Sequence, residues 1–117
     1  MREILGGLNE VVGVRGSMVV TNDGMVVAAD LSPELEEDAL AAIATAVIRN
    51  SAVALREAGF ETFVRYDLCA SHGRMIFVDA GMAYLVTVMD KSIDIGPAEL
   101  EIQSAAGRIR RQVEMRI

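Results

Sequence analysis

The chain has 117 residues, 52% hydrophobic and 24% charged, a balance that suits one globular domain over 1–117 and excludes a disordered or fibrous chain. A net charge of −6 and an aromatic share of 4% with no Trp argue against nucleic acid as a partner, because phosphate contacts need clustered cations and bases need stacking rings. The densest basic cluster (Arg108, Arg110, Arg111 and Arg116) fits the C-terminal end of a helix, where cations oppose the negative end of the dipole.

In chain order, residues 2–11 place Ile4, Leu5, Leu8 and Val11 at helical spacing, weakened by Gly6 and Gly7. The same N-terminus carries Glu3 and Glu10 and lacks the apolar core of a signal peptide. Gly13-Val14-Arg15-Gly16 ends that helix and starts a strand over about 16–21. Asn22-Asp23-Gly24 suits a tight hairpin loop with glycine left-handed, and a second strand follows over about 25–30. Ser32 as N-cap, Pro33 at the first position and the acids Glu34, Glu36, Glu37 and Asp38 predict a long helix from there to Ala58. Gly59 then supplies the left-handed residue of a Schellman ending, with Phe60 placed to meet Leu55.

From 61 to 90 the pattern becomes that of strands: ETFVRYDLCA, RMIFVD and AYLVTVMD, separated by Ser71-His72-Gly73 and Ala80-Gly81. The first alternates, Val64, Tyr66 and Leu68 on one face and Arg65 and Asp67 on the other. The other two are apolar on both faces, as central strands are. Residues 97–116 close the chain as a helix with Leu100, Ile102, Ala105, Ala106, Ile109 and Val113 on one side. The expected fold class is α+β in the order α-β-β-α-β-β-β-α. Its five-stranded antiparallel sheet would carry the long helix on one face and two helices on the other, in three layers.

Catalytic motifs are sparse. There is no phosphate-binding G-x-x-x-x-G-K-[ST], and Gly13-Val14-Arg15-Gly16 lacks dinucleotide spacing. Cys69 and His72 have the C-x-x-H spacing of two metal ligands, but no second Cys or His completes a tetrahedral site. As nucleophile and base they lack a third group to orient the His. Met75, Met82 and Met89 read as core, Asp79 and Asp90 as turn caps, and Tyr66 and Tyr84 as packing residues with a polar tip. The expectation is a non-enzyme without metal or cofactor. The single cysteine fits a reducing, cytoplasmic setting, and no run of eighteen uncharged apolar residues predicts direct membrane insertion.

The long helix is the unusual element. ALAAIATAVI, from Ala39 to Ile48, has no charge and one polar residue, Thr45. A helix on a monomer's surface shows one apolar stripe and one polar face. Here Ala39, Ala42, Ala46 and Val53 form one stripe, and Leu40, Ile43, Val47 and Ala54 a second. One stripe covers the sheet and the other calls for a partner; an edge strand calls for one too. A homodimer satisfies both.

The pattern as a whole resembles the Roadblock / dynein light chain family, in its prokaryotic type that regulates Ras-like GTPases. The residues carrying it are Leu5-x-x-Leu8, Gly13-Val14-Arg15-Gly16 and Asp23-Gly24-Met25-Val26-Val27-Ala28. The Glu-rich start and Ala-rich body of the long helix, the strand series and the closing helix follow in order. The resemblance implies a homodimer whose sheets join through the strand at 61–69, two long helices packed together, and a surface for the switch regions of a Ras-like small GTPase. Ala39, Ala42, Ala46, Arg49, Val53, Phe63 and Arg65 are the expected dimer or partner residues. Arg49, Arg65 and Arg74 are the arginines available to reach a nucleotide, and each also reads as an ordinary surface charge. A different reading, a small-molecule-sensing domain with a ligand over the sheet, rests on Tyr66, Thr87 and Arg65 as polar groups in the strands.

Overall fold

The computed structural model describes residues 1–91 and 93–115. Its elements are α1 (Arg2–Asn9), β1 (Val14–Thr21), β2 (Val26–Leu31), α2 (Glu37–Glu57), β3 (Arg65–Ala70), β4 (Gly73–Asp79), β5 (Ala83–Met89) and α3 (Gly96–Met115). The strands form one antiparallel sheet in the order β2-β1-β5-β4-β3. Because side chains alternate along a strand, the sheet serves two cores. Met18, Val20, Phe77 and Val86 meet α2, while Val19, Ile76, Val78 and Leu85 meet α1 and α3. The expected three layers are present, and β5, buried along its whole length, is central.

The first hairpin turns at Gly24, whose φ of +91° is left-handed. Its N–H donates to the Thr21 carbonyl at 2.9 Å, and the Thr21 N–H to that of Met25 at 2.8 Å. The hairpin tip is seated against α2. The Thr45 hydroxyl donates to the Ala41 carbonyl at 2.9 Å and lies 3.3 Å from that of Gly24, and a Cβ at Gly24 would collide with it.

The long helix begins later than its sequence signals predict, at Glu37 with Glu36 as N-cap. Ser32-Pro33-Glu34 folds instead as a separate turn. The Ser32 hydroxyl donates to the Glu34 carboxylate at 2.7 Å, and its carbonyl accepts from the Leu35 N–H at 2.9 Å. This turn sends Leu35 into the core under α2. The 21-residue helix is about 32 Å long. Its far end is the expected Schellman motif: Phe60 N–H to Leu55 carbonyl at 2.8 Å and Gly59 N–H to Arg56 carbonyl at 3.1 Å. The Phe60 ring stays 71% exposed, so the backbone bonds carry the motif.

Other expectations shift in detail. The sheet-facing stripe of α2 is Leu40, Ala44, Val47, Ile48 and Leu55; Ile43 and Ala54 are exposed. Residues 61–64 precede β3 as irregular chain, turned by a positive φ at Glu61. Leu100 points outward at 78% exposure because it sits two positions from Ile102, across the helix, and Ala98 takes its expected place in the core. Met82 lies in the β4–β5 turn and is exposed. Helix α1 ends at Asn9, short of 11, and the expected end of the last helix at Arg116 lies outside the described residues.

Gly24 and Gly59 both have positive φ, but nothing lies within 4 Å of a Cβ at Gly59. Gly59→Ala should cost about 1 kcal/mol, the left-handed penalty alone. Gly24→Ala adds the collision with Thr45 and should cost about 3 kcal/mol. Urea unfolding of both variants at one protein concentration tests the difference.

Candidate functional site

An apolar helix should be buried, and α2 is not. By length and composition it is apolar enough to cross a bilayer, yet it lies along the sheet with only 17% of its most apolar 18-residue window buried. Its exposed face presents Ala39, Ala42, Ala46, Arg49 and Val53, with Ile43 and Ala54 beside them. Val53 is 49% and Ile43 41% exposed. Small residues spaced along a helix let a second helix approach closely, and an uncovered apolar face of this kind marks an interaction surface.

The two edges of the sheet are unlike. Over β2, α1 extends side chains to the backbone: Arg2 Nη2 donates to the Ala29 carbonyl at 3.2 Å and Asn9 Nδ2 to that of Asp30 at 2.7 Å. Asn9 is itself fixed by the buried Ser17 hydroxyl, which donates to its Oδ1 at 2.8 Å. At the other edge, β3 pairs with β4 alone among the described residues. An unpaired, uncovered strand is a template for a further strand.

Of the seven predicted residues, five share the outer face of α2. The other two do not join them. Phe63 is 8% exposed and belongs to the core under α2, stacked on Tyr84 with ring centroids 4.7 Å apart. Arg65 stands on the opposite face of the sheet. Its Nε and Nη2 donate to Asp67 at 2.7 and 3.1 Å, and its Nη1 to Glu99 of α3 at 2.6 Å. These bonds, the one to Asp67 foremost, hold the guanidinium above its ordinary pKa.

The remaining chemistry is modest. Tyr84, its pKa raised chiefly by burial, donates to the Phe63 carbonyl at 3.4 Å. Asp79 caps its turn by accepting from the Gly81 N–H at 2.9 Å, as expected. Cys69 is exposed on β3, and His72 Nδ1 lies 2.9 Å from the Ser71 hydroxyl. Among the described residues, no three His, Cys, Asp or Glu side chains gather as a metal site. Two open clefts of about 250 and 240 Å³ flank α2, the first beside Ile48, Arg56 and Tyr84, the second beside Leu40, Ile43 and Leu68. Both fall below the usual range for small-molecule sites, about 300 Å³ and upward. The Arg74 Nε is buried at the second cleft with no hydrogen-bond partner among the described residues.

The order of elements, the strand order and the split of helices between the two faces define the Roadblock type of α+β fold. The chain belongs to the Roadblock/LC7 family, whose domain model matches residues 2–90. Two uncharacterised proteins of Methanocaldococcus jannaschii are each 31% identical to it over 92% of this chain and 94% of theirs. Among solved structures, Myxococcus xanthus MglB superposes with a TM-score of 0.88 at 14% identity, covering 98% of this chain and 88% of that one. A structure described as MglB with tetrameric arrangement gives 0.84 at 23% identity, over 99% and 89%. At these identities the likeness is one of fold.

The Arg65–Glu99 pair makes a pH-dependent contribution. The hydrogen bond from Arg65 is the main cause holding Glu99 below its ordinary pKa of 4.5. The stabilisation is therefore complete above that ordinary value and is lost as pH falls through the lower folded one. With Glu99 38% exposed, it is worth about 0.5 kcal/mol. Glu99→Gln should lose that amount at neutral pH, and the gap from the parent should close on acidification, read by urea unfolding across pH.

Proposed function

We propose that this chain is a single-domain, cytoplasmic, homodimeric binding module that regulates or scaffolds a Ras-like small GTPase by engaging its switch regions, with no catalytic chemistry of its own. The observation that carries this reading is the uncovered apolar face of α2, a 21-residue helix with only Ala44 and Ile48 fully buried. Two such helices packed side by side through Ala39, Ala42 and Ala46 would bury part of that face in each protomer. The rest would form a composite surface neither protomer has alone. Membership of the Roadblock/LC7 family supports the partner class, and the tetrameric MglB arrangement supports association through this fold.

Such a module acts by preference, not by chemistry. A GTPase switch is bistable, and a partner shifts its population only by its differential affinity for the two forms. A tenfold preference for one nucleotide state corresponds to about 1.4 kcal/mol. Side-chain contacts at an uncovered helix face supply that without an inserted arginine. Of the three candidate arginines, Arg65 is held by Asp67 and Glu99 and Arg74 has its Nε buried. Arg49 is exposed on the outer face of α2, within the surface offered to a partner.

Ala42→Glu or Ala46→Glu places a carboxylate in the middle of the stripe. Each should yield monomers by light scattering, or abolish capture of a small GTPase from host extract charged with GTP analogue or GDP. Unchanged mass together with unchanged capture would remove the basis for this reading.

A further inference from the structure

We propose that two copies of this chain join through β3 in one register, with Tyr66 on the twofold axis and Arg65 of each protomer directly opposite the partner's Asp67. The inference rests on the dimer reading above and specifies how its sheet edges meet.

The backbone sets which groups are free. The Asp79 N–H donates to the Val64 carbonyl at 2.9 Å, and Arg65 is paired with Val78. Hydrogen-bonded and non-hydrogen-bonded positions alternate in an antiparallel ladder. Val64, Tyr66 and Leu68 therefore spend their N–H and carbonyl groups on β4, and Arg65, Asp67 and Cys69 turn theirs outward. A second β3 related by a twofold axis normal to the sheet must place same-face residues opposite one another. That requirement puts the axis on a residue of β3; an axis at Cys69 or Ala70 carries Arg65 past the end of the partner strand, and the other registers are centred on Arg65, Tyr66, Asp67 or Leu68.

Charge separates them. An axis at Arg65 sets two guanidiniums face to face, and an axis at Asp67 sets two carboxylates face to face; like charges directly opposite are destabilising. An axis at Leu68 places Asp67 against the partner's Cys69 and carries Arg65 past the end of the strand. Only the axis at Tyr66 gives opposite charges, and it gives them twice. The donors for this exist: a guanidinium has five N–H groups, three of which Arg65 uses on Asp67 and Glu99. The Asp67 carboxylate is 43% exposed. On the other face the same register sets Val64, 72% exposed, against the partner's Leu68, covering apolar surface.

Two measurements test the register. In a Cys69→Ser background, Tyr66→Cys places two thiols at a facing pair with Cα atoms about 4.5 Å apart, within disulfide range. Mild oxidation should convert nearly all of it to covalent dimer. Leu68→Cys in the same background should stay uncrosslinked, its copies being about 13 Å apart along the strands. Because Tyr66 also packs on Phe63 and Phe77, a second variant leaves the core intact. Asp67→Asn should weaken the dimer roughly two- to thirtyfold at low salt by sedimentation, whereas an axis at Asp67 would make it tighten. A Tyr66→Cys protein that sediments as a dimer yet does not crosslink, or an Asp67→Asn dimer that tightens, overturns the register and leaves the dimer standing. A parent chain that is monomeric at tens of micromolar overturns both.

Discussion

One helix cannot cover five strands. The sheet spans about 19 Å across four interstrand gaps, and a helix with its side chains is about 10–12 Å wide. On one face the chain meets this with two helices, and Ile4, Leu5, Leu8, Ile102 and Ile109 close the layer. On the other it has α2 alone. The shortfall appears as the two clefts beside that helix. Adding a second helix there is the geometric completion of the layer. The outer face of α2 is made of alanines and Val53 where a solvated helix would carry charge.

The edges follow the same division. At β2 the side chains of α1 lie over the strand: Arg2 reaches the Ala29 carbonyl, and Asn9, held by the buried Ser17, reaches that of Asp30. At β3 the sheet is left open. The first half of α2 borders that open edge, where Leu40 and Ile43 share a cleft with Leu68. A partner approaching from this side meets the uncovered helix and the unpaired strand together, so the two incomplete surfaces form one.

Much of this was legible in the sequence where a local signal has one physical meaning. Gly59 after an alanine-rich helix ends it, because a left-handed residue there satisfies two orphan carbonyls. Strand alternation placed Tyr66 and Leu68 opposite Arg65 and Asp67 correctly. The start of α2 was not legible, because Ser-Pro-Glu is equally a helix cap and a free turn. In the fold the turn is separate, and Leu35, half-buried, packs against the core on the α2 side. Alanine spacing likewise could not say which stripe faces the sheet. Leu40 and Ile43 look equivalent along the sequence, and the docking of Thr45 on the hairpin tip at Gly24 sets the rotation that buries one more than the other. Phe63 was missed as core because it precedes β3 in irregular chain, where no period applies; its burial follows from Tyr84, a strand away.

Arg65 joins these parts. It sits on the open edge, grips its neighbour Asp67 and reaches across to Glu99 in the first turn of α3. The acid is doubly favoured there, by the arginine and by the positive end of the helix dipole. The edge strand is thereby tied to the layer behind the sheet while its apolar side chains, Tyr66 and Leu68, remain with the layer in front. A strand anchored on both faces holds its outward N–H and carbonyl groups in line, and an ordered edge loses less conformational freedom on pairing than a frayed one. The ion pairs are individually weak because they are solvent-facing. Their effect is to present β3 as a preformed strand.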